Sequence, residues 1–269
     1  MITAVFAIGS VIYALIQPEI YRSEALLAPA ESRQPSNPLF AQLGMAAGIV
    51  GVSVGNETGN QVSTAIATIQ SRDFITRFVE KHELRVTLMA GAWDRVDNDG
   101  NVDPSIYDLG SASWRVDPPT DEDVYHIFRA ILQVSENQNN GLVTVAIEWH
   151  NPVEARDWVN WLVADINELI KEKELQEATS AIEYLQNQLQ STQLVEMQRA
   201  FYQLIESQTR IVMLADVRED YVFRTIDPAY IPQTRIKPRR GTIVMVFSLI
   251  GLALASILVI IRHNLNREA

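Results

Sequence analysis

The chain has no cysteine, so neither a disulfide nor a thiolate metal site contributes to it. No glycine is followed by lysine, which excludes the phosphate-binding loop of P-loop ATPases and kinases. Between Pro152 and Pro228 there is neither glycine nor proline, so no residue of that stretch forbids a helix. From Gly241 to Ile261 there is no charged side chain. About 21 residues at roughly 1.5 Å rise give just over 30 Å, the thickness of a bilayer's hydrocarbon, so this run predicts a transmembrane helix.

Ile2 to Ile16 is also uncharged but shorter than a full span needs. No basic residue precedes it, as one would in a signal peptide, so the expectation is a first transmembrane helix over residues 1–17 whose cytoplasmic head lies upstream. Residues 18–240 then form the body and 262–269 a short tail. The body holds 20 of the 22 Lys and Arg and 32 of the 33 Asp and Glu, a balance of −12. So acidic a surface repels nucleic-acid phosphates, and no nucleic-acid partner is expected. Charge leaves the orientation open: Lys237, Arg239 and Arg240 flank one end of the second apolar run, and Arg262, His263 and Arg267 flank the other.

Within the body, Tyr21 to Leu27 alternates as a short strand. Five glycines between Gly44 and Gly59 argue against helix there. Ala65, Ile66, Ile69, Phe74 and Phe78 give one helical face running to about Lys81. Thr120 with Asp123 three residues on predicts a capped helix carrying Val124, Ile127, Phe128, Ile131 and Leu132. Val143, Val145, Ile147 and Trp149 predict a strand buried on one face, after a turn at Asn139, Asn140 and Gly141. Asn151, Pro152 and Glu154 then mark a helix start.

That helix can run from about 152 to about 218, roughly 100 Å. Its apolar stripe changes phase: Ile182, Leu185 and Leu189 keep 3-4 spacing, as do Leu194, Met197, Phe201, Leu204 and Ile211, but five residues separate Leu189 from Leu194. Five residues rotate a helix face by about 140°, so the helix either breaks near Gln190 to Gln193 or changes its packing face there. The second stripe fits equally a hairpin within one subunit or a subunit-contact face.

Residues with catalytic or metal-binding chemistry do not assemble into a site in this reading. Asp97, Asp99 and Asp103 around Gly100 suggest a calcium loop, but the alignment puts Arg95 at the first ligand position and Ile106 where a bidentate Glu is needed. His82-Glu83 lacks the second histidine of a zinc-protease helix, and carboxylates such as Asp121 and Asp123 suit a helix N-terminus without any glycoside chemistry. No catalytic residue, cofactor or metal is expected. Pro228, Pro232 and Pro238, with basic residues between them, predict an extended strut over 228–238 that leads into the second span. Gly251 and Ala255 form a small-xxx-small pair suited to transmembrane packing.

Several blocks of this sequence resemble the chain-length determinants of polysaccharide co-polymerases, the Wzz type that regulates O-antigen on lipopolysaccharide. They are Pro18-Glu19-Ile20-Tyr21-Arg22-Ser23-Glu24-Ala25, Ser71-Arg72-Asp73-Phe74, Trp93-Asp94-Arg95, Ile106-Tyr107-Asp108, Asp165-Ile166-Asn167, Leu204 to Thr209 and Met213-Leu214-Ala215. The most specific is Tyr221-Val222-Phe223-Arg224-Thr225-Ile226-Asp227-Pro228-Ala229, running into Pro232 and Pro238.

The resemblance implies an α+β membrane protein of the bacterial inner membrane, with both termini cytoplasmic, two transmembrane helices flanking a periplasmic α/β base, and a very long extended helix. It implies ring-shaped homo-oligomers working without catalysis on an O-antigen polymerase and on lipid-linked glycan of the undecaprenyl-diphosphate type. Membrane lipid is the remaining partner. The alternative is a membrane adaptor or sensor for capsule or exopolysaccharide export, partnering a separate kinase.

Overall fold

A computed structural model of the chain describes residues 9–15, 17–30, 57–92, 101–192, 194–218 and 220–253. Its centre is a four-stranded sheet in the order β6-β7-β1-β8, formed by β1 (Tyr21–Pro29), β6 (Leu132–Asn137), β7 (Leu142–Trp149) and β8 (Phe223–Asp227). All neighbours are antiparallel, with Tyr21 opposite Trp149 and Leu27 opposite Val143 at the two ends of the β1–β7 ladder. The alternation expected for β7 is present: Val143, Val145, Ile147 and Trp149 are buried. Strands β6 and β8 were not legible in the sequence. Gln133, Ser135, Glu136 and Asn137 give β6 a polar composition, and its partner β7 makes it a strand. The turn between β6 and β7 has Gly141 at φ 67°, where a side chain would be strained.

Helices cover the apolar side of the sheet. The single helix expected to end near Lys81 is two, α1 (Glu57–Ile69) and α2 (Arg72–Lys81). The reason is Ser71, whose hydroxyl accepts from Phe74 N and opens a new helix. A short α3 (Arg85–Ala90) follows, then the two-residue pairs β2 (Gly91–Ala92) with β3 (Asn101–Val102), and β4 (Tyr107–Asp108) with β5 (Ser113–Trp114). Helix α4 (Asp121–Ile131) begins at the expected capping box: Asp123 N donates to the Thr120 hydroxyl and the Asp123 carboxylate accepts from Thr120 N. It buries Val124 and Phe128, while Leu132, expected on this helix, is the first residue of β6.

Helix α5 (Pro152–Ser191) carries the fold's geometry. Asn151 caps it by accepting from Val153 N and Glu154 N, with Pro152 at the first helical position. Its lower half buries Ala155, Trp158, Val159, Leu162, Val163 and Ile166 at 3-4 spacing against the sheet. Each large apolar side chain there contributes about 1.5–3 kcal/mol. Trp158 packs on Trp149 at 4.9 Å and on Phe128 at 6.3 Å between ring centroids, tying helix, sheet and α4 together.

The upper half of α5 leaves the sheet and packs against α6 (Val195–Val217). The stretch 152–218, read as one long helix with a break or a change of face near Gln190 to Gln193, is two helices, and the break is the alternative present. The break falls at Thr192 and Leu194, both extended, with no glycine or proline to cause it. Gln198 Nε2 donates to Thr192 O at 2.8 Å and closes the turn. The break accompanies the phase change: folding back lets α6 pack Phe201, Ile205, Val212 and Ala215 along the hairpin with Ala178, Ile182 and Leu185 of α5, while most of the second stripe stays exposed.

The two terminal apolar runs are helical where described, at 9–15 and 240–253. Tyr13 and Phe247 lie 6.2 Å apart by ring centroid, so these helices approach each other. Among the described residues no helix is long and apolar enough to cross a membrane; residues 1–8, 16 and 254–261 of the expected spans lie outside them.

Candidate functional site

The proline-rich segment after β8 is extended, but it does not stand free of the body. Two asparagines of α5 one heptad apart hold the chain on either side of β8, Asn167 at its start and Asn160 in the proline-rich segment itself at Ala229. Asn167, only 7% exposed, accepts with Oδ1 from Val222 N and Phe223 N, at 3.0 and 2.9 Å, and donates from Nδ2 to Phe223 O at 2.9 Å. Asn160 makes the same kind of paired contact with Ala229, whose N–H donates to Oδ1 and whose carbonyl accepts from Nδ2. In effect α5 offers two side-chain amides where a further strand would offer backbone. Ser23 Oγ on β1 donates to Tyr230 O at 2.7 Å. Pro232 is buried beyond it, whereas Pro228 is exposed and Pro238 half-buried.

The segment ends in a polar junction beside Pro18 and Glu19. Ile20 exchanges backbone hydrogen bonds with Ile236 and Lys237. Arg235 and Arg240 both donate to Glu19 Oε1, at 2.5 and 2.9 Å, and Tyr21 donates to Glu19 Oε2 at 3.0 Å. Lys237 Nζ pairs with Glu148 at 2.6 Å. Burial alone would raise the Glu19 carboxyl, but the Tyr21 hydroxyl and the two guanidiniums outweigh it and hold the group below its ordinary value. A carboxyl depressed in the folded state contributes stability above its unfolded value, about 4.5, and loses it as pH falls through the lower folded value. The parent chain should thus lose thermal stability relative to Glu19→Gln on acidification from pH 5 to pH 3. Parallel melting curves of the two proteins over that range would show the junction to be neutral.

Higher up, Lys81 Nζ bridges Glu168 and Asp165, at 2.8 and 2.9 Å, and those bonds hold its ammonium well above the usual lysine range. His82 Nε2 meets Asp165 at 2.9 Å while its ring stacks on Trp161 at 4.5 Å. Tyr221 donates to Glu174 and Gln61 Nε2 donates to the same carboxylate, locking α1, α5 and the approach to β8.

The carboxylates considered for chemistry are engaged elsewhere. Asp121 pairs with Arg85, and Asp123 is held below its ordinary value by the Thr120 hydroxyl and backbone. Asp103 accepts from both Ser105 N and Ser105 Oγ, while Asp97 and Asp99 lie outside the described residues. Burial pushes the Glu154 carboxyl up, and Trp149 Nε1 donates to its Oε2 at 2.7 Å, which ties it to the helix start.

The helix-face residues of α6 are divided by the structure. Phe201 turns half-buried toward α5 with Ile205, Val212 and Ala215, whereas Leu194, Met197, Leu204 and Ile211 are exposed, at 67, 47, 49 and 36%. Sequence reading placed all five on one face and overlooked Ile205 and Val212, which continue the spacing 201, 205, 208, 212, 215 that packs the hairpin. Gly251 is buried, as are Ser10 and Ala14 on the facing terminal helix, and Ala255 lies outside the described residues. The asparagine clasp was missed too. Its only signal was two asparagines seven residues apart inside an otherwise apolar face.

Residues 1–82 match the family model of Wzz, chain length determinant protein, the same family that the sequence blocks resemble. No curated relative matches the chain. Among solved structures it is similar to a full-length bacterial polysaccharide co-polymerase, at 13% identity over 99% of this chain and 94% of that one, with a TM-score of 0.40. It is also similar to a fragment of the polysaccharide co-polymerase WzzB from Salmonella Typhimurium, at 14% identity over 82% and 100%, with a TM-score of 0.33. A mutant of the Shigella flexneri lipopolysaccharide O-antigen chain-length regulator WzzBSF matches at 12% identity over 81% and 100%, with a TM-score of 0.25.

Proposed function

We propose that this chain regulates the length of O-antigen polysaccharide as a non-catalytic homo-oligomeric scaffold of the bacterial inner membrane, acting with a polymerase on lipid-linked glycan. The observation that carries the reading is the match of residues 1–82 to the chain-length-determinant family. Two features support it: the proline-rich segment is pinned to the body by Asn160 at Ala229 and by Ser23 at Tyr230, so the body is coupled to the residues that lead into the second apolar run; and α6 bears exposed Leu194, Met197, Leu204 and Ile211, a surface that a neighbouring copy would cover. In this reading the scaffold acts through geometry, setting how long a growing chain stays with its polymerase.

The test is a gel of lipopolysaccharide from cells with and without the gene. Loss of the modal length on deletion supports the reading; an unchanged ladder beside altered capsule would replace it with the export adaptor. A finer prediction concerns the pinned segment. Each proline-to-alanine change raises the entropy of the unfolded chain by only about 0.4–1 kcal/mol, so Pro228→Ala with Pro232→Ala should leave the protein folded. The same double variant should broaden the glycan size distribution, because the segment loses its fixed path. A distribution identical to the parent's, with the protein present at parental level, would remove the segment from the mechanism.

A further inference from the structure

The junction beside the second apolar run carries more positive charge than its carboxylates neutralise. Arg235, Lys237, Arg239 and Arg240 lie within six residues and face two acids, Glu19 and Glu148. Arg235 and Arg240 share a single carboxylate oxygen, so one of those two charges is uncompensated. Arg239 is exposed, and its guanidinium has no hydrogen-bond or carboxylate partner among the described residues. Arg240 donates through Nη2 to Glu19, and its Nε is buried without a partner among the described residues, so the exposed donors of the patch are those of Arg239. The result is a surplus of two positive charges on a chain whose net charge is −11. It sits where the polar body ends, since the next charged residue after Arg240 is Arg262.

Planar guanidiniums with free N–H donors match the oxygens of a phosphodiester, and Arg235 and Arg240, already converging on one acceptor, show that this surface gathers anions. We infer that Arg239, with the surplus charge of Arg235 and Arg240, binds the phosphodiester headgroup of an anionic phospholipid at the bilayer surface. The ligand is a lipid headgroup because the patch adjoins the uncharged run 241–261, which places it at headgroup depth once that run enters the bilayer. Anionic lipid attracts each such cation enough to change binding about fivefold. Lys237 contributes less, being matched by Glu148. This inference rests on the membrane reading of the second apolar run given above.

The test uses the full chain, purified in neutral detergent and mixed with phosphatidylglycerol, with phosphatidylcholine, or with phosphatidylglycerol plus excess inorganic phosphate, with retained lipid read by native mass spectrometry. Selective retention of phosphatidylglycerol, undisturbed by inorganic phosphate, is expected. Arg239→Gln should lower that retention about fivefold and Arg239→Lys should largely restore it, with both variants melting as the parent does. Equal retention of the two lipids, or an Arg239→Gln variant that retains phosphatidylglycerol as the parent does, would overturn the inference. Displacement by inorganic phosphate would also overturn it, by showing a site for the free anion. Alkaline carbonate extraction of cell membranes separates the two ideas. A chain released into the supernatant defeats the membrane reading itself; one that stays in the pellet but shows no headgroup preference defeats only this site.

Discussion

Replacing Asn167 by alanine is expected to destabilise the body by about 3–5 kcal/mol, since the change removes three hydrogen bonds and leaves two buried backbone donors of the β8 approach without acceptors. For a body of this size, that corresponds to a fall of roughly 6–20 °C in melting temperature. Circular dichroism of the full chain in detergent would measure it. Asn167→Asp discriminates the cause. It keeps the acceptor for Val222 N and Phe223 N but loses the donor and turns a carboxylate toward Phe223 O, so it should also destabilise. An Asn167→Ala protein melting within about 2 °C of the parent would mean that the β1–β8 ladder alone holds the segment. Asn160→Ala should cost less, because Asn160 is only part-buried and its two bonds, at 3.2 and 3.4 Å, are longer.

The exposed flank of α6 is expected to matter for assembly and hardly at all for folding. Met197, Leu204 and Ile211 recur every seven residues on one line of the helix, beside the inner face that α5 already covers. A neighbouring copy that buried them would gain about 1.5–3 kcal/mol from each side chain in each contact, and three glutamates in their place would bring desolvation cost and like charge instead. The Met197→Glu, Leu204→Glu, Ile211→Glu triple variant should therefore be recovered as monomer from membranes in which the parent cross-links to higher species. It should also lose modal glycan length, with its melting temperature within about 2 °C of the parent's. If the variant melted far below the parent, those side chains would belong to the hairpin's own packing. If it cross-linked as the parent does, subunit contact would lie elsewhere.

Much of the body could be read from local signals because local chemistry decides it. The Thr120–Asp123 capping box, the Asn151-Pro152 start of α5 and the alternation of β7 each depend on residues within a few positions of one another, and each stands in the structure where expected. The phase slip between Leu189 and Leu194 pointed to the break after α5, though not to its sign: periodicity states that the face must change, and it does not state whether a turn or a new partner absorbs the change.

What depended on distant residues could not be read this way. Strand β6 is polar, and pairing with β7 alone makes it a strand; β8 has neither a turn signal nor a buried face beyond Phe223, and it exists because β1 pairs with it and Asn167, 56 residues away, receives the backbone of Phe223. The inner line of α6 was likewise undetermined, because Met197, Phe201, Leu204 and Ile211 keep a helical spacing as regular as that of Phe201, Ile205, Val212 and Ala215. Packing against α5 chose between them. Composition and spacing thus settled the acidic body, the apolar ends, the starts of α4 and α5 and the central strand. Tertiary packing settled which polar side chains hold the proline-rich segment and which apolar line stays exposed, since both are properties of pairs of elements that meet only after the chain has folded.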